Sequence, residues 1–176
     1  MIKFLSGFAL TFSFLFVSVS VSKAQSNSPS MSASLEKQKS EARLFVSRTA
    51  QAVLEAQPHV LKGGVSQGDF ATAVHHIRHA IELYKSANYR RAAMHADLAR
   101  KSAVRSCNAN KGSINSNLTS LNEQEKSILH GPVLKDEELR TEVSKLLKLK
   151  PTISDAALLK SDLNDLKPAQ LNTLLK

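Results

Sequence analysis

Residues 69–108 read DFATAVHHIRHAIELYKSANYRRAAMHADLARKSAVRSCN, and this stretch decides the fold. Phe70, Val74, Ile77, Ile81 and Tyr84 recur at helical spacing and mark one buried stripe. The pattern predicts a helix that starts near Asp69, a plausible N-cap, and breaks at Ser86-Ala87-Asn88. Asn88 can cap a following helix, from Tyr89 to about Asn108. The stripe of that helix is Tyr89, Ala92, Ala93, Ala96, Ala99, Ala103 and Cys107. Nearly all of these side chains are small, so a partner helix can approach closely. Two such helices around a short turn imply a helical hairpin.

Working outward, Leu35, Ala42, Phe45, Val46, Thr49, Val53 and Ala56 form another helical stripe. They predict a helix from about Leu35 to Gln57, ended by Pro58. Leu61 to Gly68, with Gly63-Gly64, reads as a mobile connector, and Ser-rich residues 25–34, with Pro29, as a flexible tether. On the other side, residues 109–120 are rich in Gly, Asn and Ser and read as a linker. Short helices are expected over 121–176. One spans about Leu121 to Leu129, before Gly131-Pro132. Another spans about Asp136 to Leu149, with Leu139, Val143, Leu146 and Leu147 on one side and Pro151 as its stop. A third follows Ser154, and a last one opens at Pro168, a good first-turn residue. With no Trp and only 5% aromatic residues, the composition agrees. The expected class is all-α: a hairpin or three-helix core over 35–108, joined to a smaller helical C-terminal part.

Within the hairpin, Ala80, Leu83-Tyr84, Ala87-Asn88, Tyr89, Ala92 and Ala99 follow a recognisable order. A small residue, a Leu/Tyr pair, a turn, a Tyr and two alanines seven apart resemble part of a tetratricopeptide (TPR) repeat. The resemblance covers about one repeat, at roughly residues 70–105, and no second copy recurs at the 34-residue period. It implies a binding or scaffolding role and carries over no catalytic residue.

The first 24 residues read as an export signal. Lys3 precedes an apolar run from Phe4 to about Val21, and Ser22-Lys23-Ala24 offers small residues at both positions a signal peptidase reads. The expectation is a secreted or periplasmic protein whose signal is cleaved after Ala24. The alternative is an uncleaved N-terminal anchor in the envelope membrane, although the run is interrupted by Gly7 and several serines. With a single cysteine, Cys107, the chain has no internal disulfide and depends on packing.

The formal net charge is +9. The excess sits in the middle of the chain: Asp69 to Arg105 holds seven Lys/Arg against three acids, whereas Glu123 to Lys176 holds nine of each. On the third helix Arg90, Arg91, Lys101 and Arg105 point away from the alanine stripe, around Met94 and Leu98. This outer face is a candidate for docking a protein or an anionic envelope component. Nucleic acid is not an expected partner, because aromatic residues for stacking are scarce and export removes the chain from it. His75 and His79 stand one turn apart on the second helix, with Glu82 next along. A pair at this spacing can chelate zinc or copper. The set is short of ligands unless His59 or His95 folds in, and the same residues suit a solvated face. There is no phosphate-binding Gly loop, nucleophile elbow or CxxC. The expected function is therefore a non-enzymatic binding or scaffold protein without a cofactor, with a small metal-binding helical protein as the rival.

Overall fold

The computed structural model describes residues 29–65, 67–130, 141, 142, 145 and 155–176. Residues 1–24, read above as an export signal, residues 25–28 of the expected tether, Gly131-Pro132, Pro151 and most of the helix expected over 136–149 lie outside the described residues. Thr141, Glu142 and Lys145 are helical. The described residues form helices, and no strand occurs among them.

Three helices build the core: α1 (Pro29–Gly63), α2 (Asp69–Lys85) and α3 (Tyr89–Ala109). Contacts between Asp69 and Arg105 and between His79 and His95 fix α2 and α3 as antiparallel. Thr49 meets Arg100 and Val65 meets Asn110, so α1 runs alongside α3 in an up-down-up arrangement. The alanine stripe lies at the centre. Ala92, Ala93, Ala96, Ala99 and Ala103 are fully buried against Phe45, Val53, Phe70 and Ile77. Cys107 is buried with them as a free thiol, and burial raises its pKa.

The turn between α2 and α3 closes with two bonds, Asn88 N–H to Leu83 O and Ala87 N–H to Tyr84 O. This is the Schellman pattern, and it places Ala87 at φ 58°, a conformation that favours glycine. Asn88 takes the N-cap position of α3, but its side chain makes no capping bond.

Several boundaries differ from the sequence reading. Residues 29–34, expected within the tether, are helical, because α1 already begins at Pro29. Proline suits a first helical turn, and once a nucleus exists each further residue adds one hydrogen bond. Residues 32–38 project into solvent, and Leu35, expected on the buried stripe, is 50% exposed. Pro58 does not end α1. The helix runs through it to Gly63 because Val60, one turn from the core residue Ala56, is buried. The stop is Gly64, at φ 70°, whose N–H returns to Val60 O. The connector that follows is anchored: the Asn110 side chain bonds both Val65 N–H and Val65 O. A Cβ at Gly63 would lie 2.2 Å from Asn110 Oδ1, so this crossing admits only glycine.

The N-cap of α2 is Gly68, and Asp69 is its first helical residue. The capping carboxylate comes from a distant residue. Asp155 accepts from Gly68 N–H at 2.8 Å and Ala71 N–H at 2.7 Å, placing a negative charge at the positive end of α2. The linker over 109–120 contains a short helix, α4 (Ser116–Thr119), capped by Asn115 and tied to α1 through Asn115 N–H and Glu55. Helix α5 (Glu123–Leu129) starts two residues later than expected, at a capping box made by Asn122 and Glu125. Helix α6 (Asp155–Leu159), the 3-10 turn Asn164–Leu166 and helix α7 (Pro168–Leu174) close the chain. Leu158, Leu163, Leu166, Leu171 and Leu175 bury themselves in the same core. No helix among the described residues is long and apolar enough to cross a membrane.

One buried ion pair holds α5 to this frame. Glu125 is fully buried and accepts a bidentate bond from Arg100, at 2.6 and 3.0 Å. Arg48 adds a third contact at 2.7 Å. Arg100 also reaches Thr49 Oγ1 and lies 4.5 Å over the Phe45 ring. Removing one partner from such a cluster leaves the other charge buried and alone, at a cost of about 3–5 kcal/mol. We predict a loss of that size for Glu125→Ala in urea denaturation, and a loss below about 1 kcal/mol would contradict the assignment.

Candidate metal centre

Helix α2 is enclosed on most of its circumference, because α1, α3 and the C-terminal part all pack on it. Its histidines therefore do not share one solvated face. His76 is buried, whereas His75 and His79 are half-buried. The hairpin is symmetric about its turn: His79 lies eight residues before Ala87 and His95 eight residues after it. Antiparallel packing therefore brings the two rings edge to face, 4.6 Å between centroids. On its other side His95 Nδ1 meets His76 Nδ1 at 3.0 Å.

Glu142 completes the group. Its Oε1 lies 3.0 Å from His79 Nε2 and its Oε2 3.6 Å from His95 Nε2. Arg91, one turn before His95, donates to the same Oε2. One ligand atom each from His79, His95 and Glu142 lies within 4.8 Å of the others. His95 is fully buried, and its Nε2 makes no hydrogen bond among the described residues. His95 Nε2 thus faces Glu142 Oε2 across 3.6 Å, beyond hydrogen-bonding distance, an arrangement that a cation bound by both would stabilise.

Burial sets the charge of two of the rings. Burial, then the neighbouring imidazoles, lowers His76 and His95 to about 4, so both rings are neutral near pH 7. Burial opposes charge on Glu142, but hydrogen bonds from His79 and Arg91 outweigh it and hold the carboxyl below its usual range. The His76–His95 contact has the form of a second-sphere bond: the His95 ring nitrogen away from the ligand site is held by a second ring.

The sequence-derived set of His75, His79 and Glu82 is reassembled rather than reproduced. Only His79 belongs to the cluster. Glu82 is exposed and reaches the outer nitrogen of His79 at 3.4 Å. His95 does fold in, as the short ligand count required. Glu142 was not among the candidates, since nothing local distinguishes it from the other acids of its segment. The symmetry about Ala87 was the signal that pairs His79 with His95.

The docking candidates are placed differently from one another. Arg90 donates to Leu129 O, Arg91 pairs with Glu142, Lys101 with Asp97 at 2.6 Å and Arg105 with Asp69 at 2.9 Å. Met94 and Leu98 are half-buried. Comparisons with protein-family models, curated proteins and solved structures found no match.

The titration of these histidines sets the pH dependence of stability. In the unfolded chain both take up protons near pH 6.5, whereas in the folded protein they resist until about 4. The unfolded state therefore binds more protons in that window, and acid favours it. His75, His79 and Arg91 oppose protonation and Glu142 promotes it, with burial dominating. In a chelating buffer, the unfolding free energy from urea denaturation should be highest above about pH 6.5 and fall towards pH 4, by a few kcal/mol in all. A free energy constant over this range would contradict the burial of the pair.

Proposed function

We propose that this chain is a small helical metal-binding protein that acts outside the cytoplasm. It holds one divalent transition-metal ion between α2 and α3, with His79, His95 and Glu142 as ligands. The carrying observation is the convergence of these three donors around the buried Nε2 of His95, which has no hydrogen-bond partner among the described residues. Two imidazoles and a carboxylate form a borderline-soft set that suits zinc or copper(II) and discriminates against magnesium and calcium. Bonds of about 2.0–2.1 Å in a tetrahedron separate donors by about 3.3 Å. The three donors lie within 4.8 Å of one another, and each histidine is 3.0 or 3.6 Å from an oxygen of Glu142, so metal entry would draw the group inwards. Lys3, the apolar run and Ser22-Lys23-Ala24 support export. The role is binding, and no reaction is assigned to the site.

A second reading keeps the outer face of α3 as a surface for an anionic envelope component. Its support is the positive excess of residues 69–105 and the exposure of Lys101 and Arg105, whose side chains are 63% and 57% accessible despite their pairings. A TPR-like reading of the α2–α3 hairpin, as one scaffolding unit, belongs with this view.

The two readings make separate predictions. Zinc titrated into the purified protein should bind saturably at one equivalent. His79→Ala or Glu142→Ala should weaken it by more than about tenfold, because only two protein ligands then remain. His75→Ala and Glu82→Ala should leave it unchanged, and equal losses in all four variants would contradict the ligand set. For the outer face, Lys101→Glu with Arg105→Glu should abolish retention on a polyanionic resin at near-physiological salt. Unchanged retention would remove the second reading.

A further inference from the structure

We infer that the metal site takes a small oxyanion at its open coordination position, and that Arg91 is the residue that holds it. This rests on the metal-binding reading above.

Coordination number gives the first reason. The described residues supply three donors, and zinc in a tetrahedral site takes four ligands. The fourth place is therefore left to water or to an exogenous donor. Charge gives the second. A divalent ion beside the Arg91 cation brings three positive charges to two neutral imidazoles and one carboxylate. Counting Glu82 on the outer nitrogen of His79 as well, one positive charge remains uncompensated among the described residues. In a pocket where His95 is fully buried and Glu142 mostly so, that excess is costly, and an anionic fourth ligand removes it.

Arg91 supplies the third reason. It lies on Glu142 Oε2, the oxygen that faces His95 Nε2, so the guanidinium borders the space the ion would occupy. A metal drawing electron density from that carboxylate weakens its bond to Arg91 and frees donors of the fork. Arg91 Nε is buried and has no hydrogen-bond partner among the described residues, so the guanidinium is under-used even before metal enters. A planar fork matches two oxygens of a phosphate or carboxylate better than a point charge does. Access is open on this side, since the Arg91 side chain is 41% exposed, while His79 and Glu142 retain a solvent edge. The ligand class is thus an oxyanion of phosphate size. It is either free in solution or carried as the terminal group of a phosphomonoester.

The test uses full-length processed protein loaded with cobalt(II), whose visible absorption reports changes in its ligands. Inorganic phosphate, and in a parallel arm O-phosphoserine, is titrated into the loaded protein. Saturable spectral change with either probe supports the inference. Response to phosphate alone identifies the free ion as the source, and response to both admits a phosphomonoester. Arg91→Gln should bind cobalt but lose anion affinity by about tenfold or more, the loss of charge-assisted hydrogen bonds. Arg91→Lys, which keeps the charge without the fork, should fall between. A spectrum indifferent to both probes, or Arg91→Gln responding like the parent, overturns the inference and leaves metal binding standing. Failure of the parent protein to take up cobalt or zinc overturns both.

Discussion

The close approach of α2 and α3 is the constraint from which the rest follows. Alanines on the inner face of α3 leave only small side chains at the contact, so the two backbones draw together and the turn at Ala87 sets their register. Any residue placed symmetrically about that turn then meets its counterpart. His79 and His95 are such a pair, and their distance is a property of the hairpin rather than of a loop. Groups carried on two packed helices lose little further entropy on binding an ion, which is what preorganisation of a ligand site requires.

Polar contacts position the elements around this hairpin. The Arg100–Glu125 pair fixes α5 across α1 and α3, and Asp155 fixes the C-terminal part against the start of α2. Both are buried, and each satisfies donors that would otherwise be costly to leave without a partner. Neither is strong evidence of net stabilisation, since apolar replacements of a buried pair often match it. Their contribution is register: a shift of α5 or α6 by one turn would strand a charge in the core. The His76–His95–Glu142–Arg91 chain follows the same design, with one difference. Its central nitrogen, His95 Nε2, has no hydrogen-bond partner among the described residues.

Much of this was legible in the amino-acid order, and the parts that were not have physical reasons. The seams of α2 and α3 follow from spacing alone, because both helices bury a stripe of the period that a helix demands. The end of α1 was misread at Pro58. Proline removes one hydrogen bond, but burial of Val60 two residues on outweighs that loss, and Gly64 gives the true stop. The connector looked mobile because its glycines suggest freedom, whereas Asn110 ties it from forty-five residues away. The cap of α2 and the third donor of the metal centre share that character. Asp155 and Glu142 lie 84 and 63 residues from their partners Ala71 and His79, beyond the reach of any local pattern. His79 and His95 could be found by counting outward from the turn, but no count within the chain singles out Glu142.

The central claim is that His79, His95 and Glu142 surround one metal ion. An anomalous-difference map from crystals grown with one equivalent of zinc tests it most directly. The account predicts a single strong peak about 2.0–2.2 Å from a nitrogen of each histidine and an oxygen of Glu142. A peak at His75 and Glu82, or no peak between α2 and α3, would contradict it.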